Sequence, residues 1–256
     1  MDDLLNGLDT QFVGRTAHTY DSVGSTNDVA RQLADAGTPA GTLVLADEQT
    51  SGRGRLGRRW VAPAGTSLLL SLVFYPCLQP HQAQRLTMAC SLATAEAIEK
   101  VAGLPAALKW PNDVLVHGFK VAGILTETSI TGNRLDHAIV GIGINANFDR
   151  KLLAEIAPQS STLVAEAGRE VSRRLLLHDL LHRVEAWLPA IYEPARLQEG
   201  WRARLATVGQ SVTVITDSGP VHGVAEAVDA DGALLVRDAE DQVHRFVAGD
   251  VTLQTD

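Results

Sequence analysis

The chain has 256 residues, 45% of them hydrophobic and 20% charged, and a formal net charge of −8. That length suits one large domain followed by a small one, and the balance is that of an ordinary globular protein with a sizeable core. The acidic total argues against a general nucleic-acid-binding surface, and no apolar run reaches the roughly 18–20 residues needed to cross a bilayer.

Met1-Asp2-Asp3 lacks the basic start of a signal peptide. Ahead of the first motif, a strand is expected at Thr16–Asp21. Ser25 with Asp28 three residues on resembles a capping box, so a helix should open there and stop at Gly37. Gly41–Gln49 reads as a strand, a loop dense in Gly and Arg follows, and the apolar run Ser67–Tyr75 reads as a buried strand. Helical spacing over Gln84–Lys100 ends near Gly103. Three strands are expected at Ala107–Trp110, Val114–Val116 and Phe119–Thr126, with His117-Gly118 as a tight hairpin. Ala138–Asn145 is a further strand that carries two glycines, and residues 146–163 read as a loop with at most a short helix. Val171–Ile191 is an amphipathic helix with a leucine stripe, continued after Pro194 by Gln198–Leu205. From Thr207 the texture changes to short alternating strands separated by Asp217-Ser218-Gly219, Asp229–Gly232 and Gly249-Asp250. That pattern fits a small all-β module such as an SH3-like barrel, and the expected division is 1–206 and 207–256. Cys77 and Cys90 both lie in apolar surroundings and read as small core residues, which suits a reducing cytoplasm.

The basic residues are lopsided: Lys100, Lys109, Lys120 and Lys151 stand against eighteen arginines. Lysines retained in an Arg-preferring chain hint at a need for a compact ammonium, although composition bias is a sufficient cause. In Gly52-Arg53-Gly54-Arg55-Leu56-Gly57-Arg58-Arg59-Trp60 the glycines free the backbone to approach a ligand. Its four guanidiniums would repel one another unless an anion or solvent screens them. A polyphosphate or acyl phosphate is the natural guest, and a solvated basic loop or a nucleic-acid contact is the alternative.

Lys109-Trp110-Pro111-Asn112-Asp113 sets a cation, an aromatic and a carboxylate at a strand end, where a plain β-turn also explains Asn112 and Asp113. In Lys120-Val121-Ala122-Gly123-Ile124-Leu125, strict alternation puts the lysine on the face of Ala122 and Ile124. There it needs an anionic partner, unless it is a surface edge lysine. Gly141-Ile142-Gly143-Ile144-Asn145-Ala146 fits a dinucleotide-binding pattern only superficially, because its glycines lie within a strand. Strand glycines mark close approach of a ligand or another backbone. Ser25-Thr26-Asn27 serves equally as a helix cap or as donors to an oxygen-rich ligand.

Taken in order, Ser25-Thr26-Asn27, Gln49, Gly52–Trp60, Lys109–Asp113, Lys120–Leu125 and Gly141–Asn145 resemble the biotin protein ligases over roughly residues 16–256. The arginine run combined with K-W-P-N-D separates that family from the lipoate ligases, which share its fold. The resemblance implies an α+β architecture: a mixed-sheet catalytic domain with helices on one face, then an SH3-like β-barrel. It implies an enzyme that forms biotinyl-5'-AMP from biotin and ATP, then biotinylates a lysine of a biotin carboxyl carrier domain.

By the same resemblance, Ser25, Thr26, Asn27, Gln49 and Gly123 would line the biotin pocket. Arg53, Gly54 and Arg55 would belong to a loop that orders over biotin and its adenylate. Arg55, Arg58, Trp60 and Asn145 would frame the nucleotide, and Lys109, Asn112 and Asp113 would serve ATP and magnesium, with Asp113 as the candidate metal ligand. Lys120 would contact the biotin carboxylate and α-phosphate. Arg53, Lys120 and Asp113 are the expected catalytic residues. Some relatives place a tryptophan on the adenine, whereas the only aromatic in 146–163 here is Phe148. Only 24 residues precede Ser25, too few for the winged-helix domain of bifunctional members, so the monofunctional type without DNA binding is expected. Relatives often pair through their sheets, which makes a homodimer compatible with the resemblance. A regulatory protein that forms the adenylate without transfer, or a lipoate-type ligase, is the competing reading.

Overall fold

Alternating and fully apolar strands of this chain assemble into two sheets in the computed structural model, which describes residues 2–216, 219–247 and 249–253. The chain runs through β1 (Ala17–Val23), α1 (Thr26–Asp35), β2 (Leu43–Gln49), β3 (Leu68–Phe74) and α2 (Gln84–Ala102). Next come β4 (Ala106–Lys109), β5 (Asp113–Val116), β6 (Phe119–Thr131) and β7 (Arg134–Ile144). Three helices follow, α3 (Leu163–Ala167), α4 (Arg173–Trp187) and α5 (Pro194–Arg202). The chain ends in β8 (Ser211–Thr216), β9 (Gly219–Val228), β10 (Leu234–Arg237), β11 (Val243–Phe246) and β12 (Asp250–Leu253). Asp217 and Ser218 of the expected turn lie outside the described residues.

The first sheet has the order β1-β2-β3-β7-β6-β5-β4, the second β11-β10-β9-β8-β12. Only β1 and β2 pair in parallel, so the first sheet is mixed and the second antiparallel. Every residue of β3 is buried, because both faces of the sheet are covered there. Leu43, Leu45, Leu70, Leu72, Val140 and Ile142 face α2 and α4 in the main core. Val44, Val73 and Ile139 point the other way, against Ala30 and Ala34 of α1. The helical layer expected on one face is thus α2 with α4, while the short α1 caps part of the opposite face. What α1 leaves uncovered there becomes the site.

α2 is buried along most of its 19 residues, wedged between the sheet and α4, which accounts for its run of Ala, Ser, Thr and Cys. Gly103 ends it in the left-handed conformation (φ 73°). His117 and Gly118 both take positive φ (49° and 82°), as a two-residue hairpin of this hand requires. β6 and β7 run past their expected ends because their polar outer residues pair without an apolar signal. α3 had no such signal either, at five residues. The expected long helix stops at Trp187 and tightens into a 3-10 turn over Leu188–Tyr192 that contains Pro189, and α5 starts on Pro194 itself.

One buried cluster joins the two sheets, with Trp110, Trp201 and Leu205 packed beside Val212, Val214, Leu234 and Val236. Trp110 Nε1 donates to Gly232 O at 2.9 Å, and its backbone N donates to Thr207 Oγ1 at 2.9 Å. Cys90 is buried, and burial pushes its thiol up to about 12. Cys77, expected in the core, is exposed instead because it follows Pro76 in the loop leaving β3. No helix among the described residues is long and apolar enough to cross a membrane.

Candidate functional site

The start of α1 meets the ends of β2 and the middle of β3 in a small polar cluster. Ser25, Thr26 and Asn27 are each at most 4% exposed. Gln49 Oε1 accepts from Thr26 N (2.8 Å) and Thr26 Oγ1 (3.1 Å). Ser71 Oγ donates to Asn27 Oδ1 at 2.6 Å and lies 2.8 Å from Thr26 Oγ1. Ser71 is the one polar residue in the run Leu68–Phe74, a signal that the sequence carried and that marks the strand position facing α1. Ser25 sits at the N-cap position, but its side chain makes no cap hydrogen bond. The expected capping box is absent because Asp28 is drawn to arginine instead.

That arginine is Arg53, whose two terminal nitrogens donate to the two oxygens of Asp28, each at 2.6 Å. Arg31 bridges Asp28 (3.0 Å) and Glu127 (2.9 Å), and Glu127 lies 3.6 Å from Arg53. Asn27 Nδ2 donates to Glu127 Oε2 at 2.6 Å, which ties this network to the polar cluster. The hydrogen bond from Arg53 holds the Asp28 carboxyl below the usual carboxylate value, and burial opposes it. Arg53, expected near a ligand's carboxylate and phosphate, is therefore already committed to carboxylates of the protein.

The loop that carries it closes on itself. Trp60 N donates to Gly52 O (2.9 Å), Gly54 N donates to Arg58 O (2.7 Å), and Arg53 bridges Arg59. A Cβ at Gly52 would stand 2.6 Å from Trp60 O, so glycine is required there. Arg55 reaches outward, to Asn112 Oδ1 (3.4 Å) and the carbonyl of Gly249 (3.2 Å), just ahead of β12. Arg58 and Arg59 are exposed.

Trp60 lies flat on the sheet. A Cβ at Gly143 would come within 2.6 Å of its ring, and one at Gly123 within 3.2 Å. Those glycines are direct partners on β6 and β7, so together they form a floor for the indole. Its Nε1 is buried and has no hydrogen-bond partner among the described residues. A Cβ at Gly141 would stand 2.3 Å from Asn27 Oδ1. The strand glycines thus admit side chains, where the sequence pointed to a ligand or another backbone.

Lys120 also differs from expectation. Its Nζ is 2.5 Å from Asp113 Oδ1, 5.7 Å from the Trp60 ring centroid and 3.3 Å from where a Gly123 Cβ would sit. It therefore lies on the face of Gly123, not on that of Ala122 and Ile124. A register shift opposite Val114/Leu115 inserts one extra residue in β6, which reverses the alternation. Val121 and Ala122 are consequently both buried.

Asn112 Nδ2 donates to Ile124 O at 2.8 Å and so locks the turn after Pro111. Asn145 Nδ2 donates to Ser161 O at 3.1 Å, while its buried Oδ1 has no partner among the described residues. Lys109 is half-buried, pairs with Asp113 only through strand register, and its side chain makes no hydrogen bond or ion pair with the described residues. The structure thus brings Gly123, Trp60, Lys120 and Asp113 into direct neighbourhood, with Arg55 on Asn112 beside them. The side chains of Lys109 and Asn145 make no hydrogen bond or ion pair with this group among the described residues. Phe148 is only 7% exposed, so it offers no open face for stacking. Asp28, Ser71 and Glu127 belong to the site, and sequence reasoning passed them over.

Chemically, the arrangement is a half-buried cation beside an indole laid on a glycine floor, with the arginine loop next to it. The chain matches the Biotin/lipoate A/B protein ligase family over residues 20–145 and the Biotin protein ligase C terminal domain over residues 207–253. The biotin--[acetyl-CoA-carboxylase] ligase of Paracoccus denitrificans is 36% identical over 83% of this chain and 90% of that protein. The Bacillus subtilis bifunctional ligase/repressor BirA is 31% identical over 96% of this chain and 77% of that protein. Among solved structures, the Aquifex aeolicus biotin protein ligase in complex with biotin and ATP superposes with a TM-score of 0.78. It is 29% identical and covers 94% of this chain and all of its own. The fold and the first match define a biotin or lipoate protein ligase. With the C-terminal match and these relatives, the chain belongs to the biotin protein ligase family.

Proposed function

We propose that this enzyme joins biotin to ATP as biotinyl-5'-AMP and passes the biotinyl group to a lysine of a biotin carboxyl carrier domain. The observation that carries the reading is Lys120, set on the glycine floor beside Trp60 and under the arginine loop, in a chain whose Aquifex relative was solved with biotin and ATP.

Ser25, Thr26, Asn27 and Gln49 would hold the ureido group, because donors and acceptors alternate there in a buried setting. The biotin carboxylate, with a pKa of about 4–5, is ionised at neutral pH and needs no base to attack the α-phosphorus. Pyrophosphate leaves and an acyl phosphate bond forms. The barrier is repulsion between anions, which Lys120 would relieve on exchanging Asp113 for the ligand, with Arg55 and Arg58 on the nucleotide side. In the second step the carrier amine attacks the acyl carbon and AMP departs. Asp113 would accept the amine's proton.

Magnesium would come with ATP. Among the described residues no group of three or more His, Cys, Asp or Glu converges on one point. Asp113 alone fits an ion that keeps its waters and is held chiefly by phosphates, where it would neutralise charge on the phosphoryl oxygens. A cytoplasmic location would supply the ATP. A homodimer through the sheet would use β1, which has a neighbour on one side only among the described strands.

Incubation with ATP, magnesium, biotin and a carboxylase carrier domain, followed by streptavidin blotting, tests the reading. ATP-dependent labelling of the carrier is expected. Adenylate without labelling would favour a regulatory protein, and labelling by lipoate or octanoate instead would favour the sister ligases.

A further inference from the structure

Buried hydrogen-bonding groups are matched donor to acceptor, and in the polar cluster at the start of α1 that matching fixes a direction. Asn27 is 4% exposed, and an amide side chain can turn either its oxygen or its nitrogen to a neighbour. Glu127 on β6 decides between the two. Its Oε2 lies 2.6 Å from one end of the Asn27 amide and 2.9 Å from Arg31, and a carboxylate only accepts. The end that faces it is therefore Nδ2, which also lies 3.5 Å from the Leu125 carbonyl. Oδ1 is thereby turned to Ser71, at 2.6 Å, and against Gly141, whose missing Cβ gives it room.

Ser71 Oγ carries a single hydrogen and has two acceptors in reach, Asn27 Oδ1 at 2.6 Å and Thr26 Oγ1 at 2.8 Å. The amide oxygen is nearer and holds it. Thr26 gives its own hydroxyl hydrogen to Gln49 Oε1 at 3.1 Å. Toward the described residues, Ser71 Oγ and Thr26 Oγ1 so keep lone pairs for an N–H that comes from a ligand. With the Asn27 amide reversed, Nδ2 would donate to Ser71 Oγ and release the Ser71 hydrogen to Thr26 Oγ1. Both hydroxyl oxygens would then be served from within.

We propose that Glu127 is a positioning residue for ligand recognition: by fixing the Asn27 amide it keeps the cluster an acceptor of N–H groups, and so selects a cyclic urea over a ring that lacks one of the urea's N–H donors. This rests on the ligase reading, in which that urea is the ureido ring of biotin. Glu127 acts through Asn27 and needs no contact with the ligand itself.

Calorimetric titration of the full chain with biotin and with two carbamate analogues of biotin, each with one ureido N–H replaced by oxygen, reads the preference as a ratio of affinities. Wild type should bind at least one analogue about a hundredfold more weakly than biotin, because a buried acceptor is then left unpaired. Glu127→Met keeps the length of a partly exposed side chain and removes its acceptor. It should bind biotin about tenfold more weakly and cut the preference about tenfold. In Glu127→Gln the amide oxygen can still take both Asn27 and Arg31, so the preference should stay within about threefold of wild type. A general loosening of the site would weaken biotin and the analogues alike and leave the ratio where it was. In pyrophosphate exchange, Glu127→Met should raise the KM for biotin, with kcat and the KM for ATP nearly unchanged.

An unchanged ratio in Glu127→Met would overturn the proposal, as would equal affinity of wild type for biotin and both analogues. A chain that neither binds biotin nor supports biotin-dependent pyrophosphate exchange overturns the ligase reading and the proposal with it. Biotin binding and exchange with an unchanged ratio overturns the proposal alone.

Discussion

Replacing Gly143 by alanine sets a methyl group 2.6 Å from the Trp60 ring, whereas carbon contacts settle at about 3.5–4.0 Å. The indole must retreat by about 1 Å. Trp60 is half-buried at the end of a surface loop and can yield, so the stability cost belongs at the low end of the overpacking range, about 1 kcal/mol. Gly141→Ala is the matched control. Its methyl would meet Asn27 Oδ1 at 2.3 Å, and Asn27 is 4% exposed and pinned by Ser71 and Glu127. That side chain cannot yield without breaking buried hydrogen bonds, so about 3 kcal/mol is expected. Any gain from removing a strand glycine is common to both and cancels in the comparison. At roughly 2–4 °C per kcal/mol, Gly143→Ala should lower Tm by about 2–4 °C and Gly141→Ala by about 6–12 °C. Thermal unfolding gives that order, and titration with biotin gives the second reading. Gly143→Ala should weaken biotin about tenfold despite its mild effect on folding, because the floor no longer holds the indole flat. Wild-type affinity in Gly143→Ala, or a larger Tm loss there than in Gly141→Ala, would refute the floor.

Lys120→Ala should reduce adenylate formation by about a hundredfold or more, as removal of a charge-stabilising donor does, and affect carrier transfer from supplied adenylate far less. Normal pyrophosphate release by that variant would remove Lys120 from the chemistry. Ser71→Ala leaves Asn27 Oδ1 without its buried donor and should cost about 2 kcal/mol, or about 4–8 °C in Tm, with a higher KM for biotin. An unchanged Tm and KM would show that water replaces the hydroxyl. Glu185 on α4 accepts the backbone N–H groups of Gln11, Phe12 and Val13 at 3.0, 2.6 and 2.8 Å. Burial pushes its carboxyl up, but these bonds, Phe12 foremost, bring it below the usual value. A lowered folded-state pKa means stabilisation present above the unfolded value of about 4.3 and lost as pH falls through the folded one. The stability gap between wild type and Glu185→Gln should therefore be flat from pH 6 to 8 and close in acid; a gap that widens below pH 4 would contradict the clamp.

What was legible in the sequence followed local rules. The buried β3, the left-handed stop at Gly103 and the two-residue turn at His117-Gly118 each depend on residues within one element. Pairings across the fold were not legible. Ser25 and Asp28 have the spacing of a capping box, yet a guanidinium from 25 residues away outcompetes the backbone for Asp28. Period-two alternation assigned Lys120 to the face of Ala122, and one extra residue in β6 reversed it. A bulge of this kind has no composition signal among Val, Ala and Ile. The strand glycines announced a close approach, but only the folded chain identifies the approaching groups as Asn27 and Trp60.

The fate of each loop arginine indicates where a polyanion would settle. Arg53 has two 2.6 Å bonds to a carboxylate, and a phosphate there would have to displace a partner of equal charge. Arg55 reaches Asn112 Oδ1 at 3.4 Å and the Gly249 carbonyl at 3.2 Å, both longer than the bonds of Arg53. Arg59 is exposed and screened by water. Lys120 holds one carboxylate, Asp113, which stands beside Asn112, the residue that also receives Arg55. Arg55 and Lys120 therefore both approach the Asn112-Asp113 turn. An anion arriving there meets two cations, whereas one arriving at Arg53 must break a bidentate pair with Asp28. The phosphates are expected on the Asn112 side of Trp60.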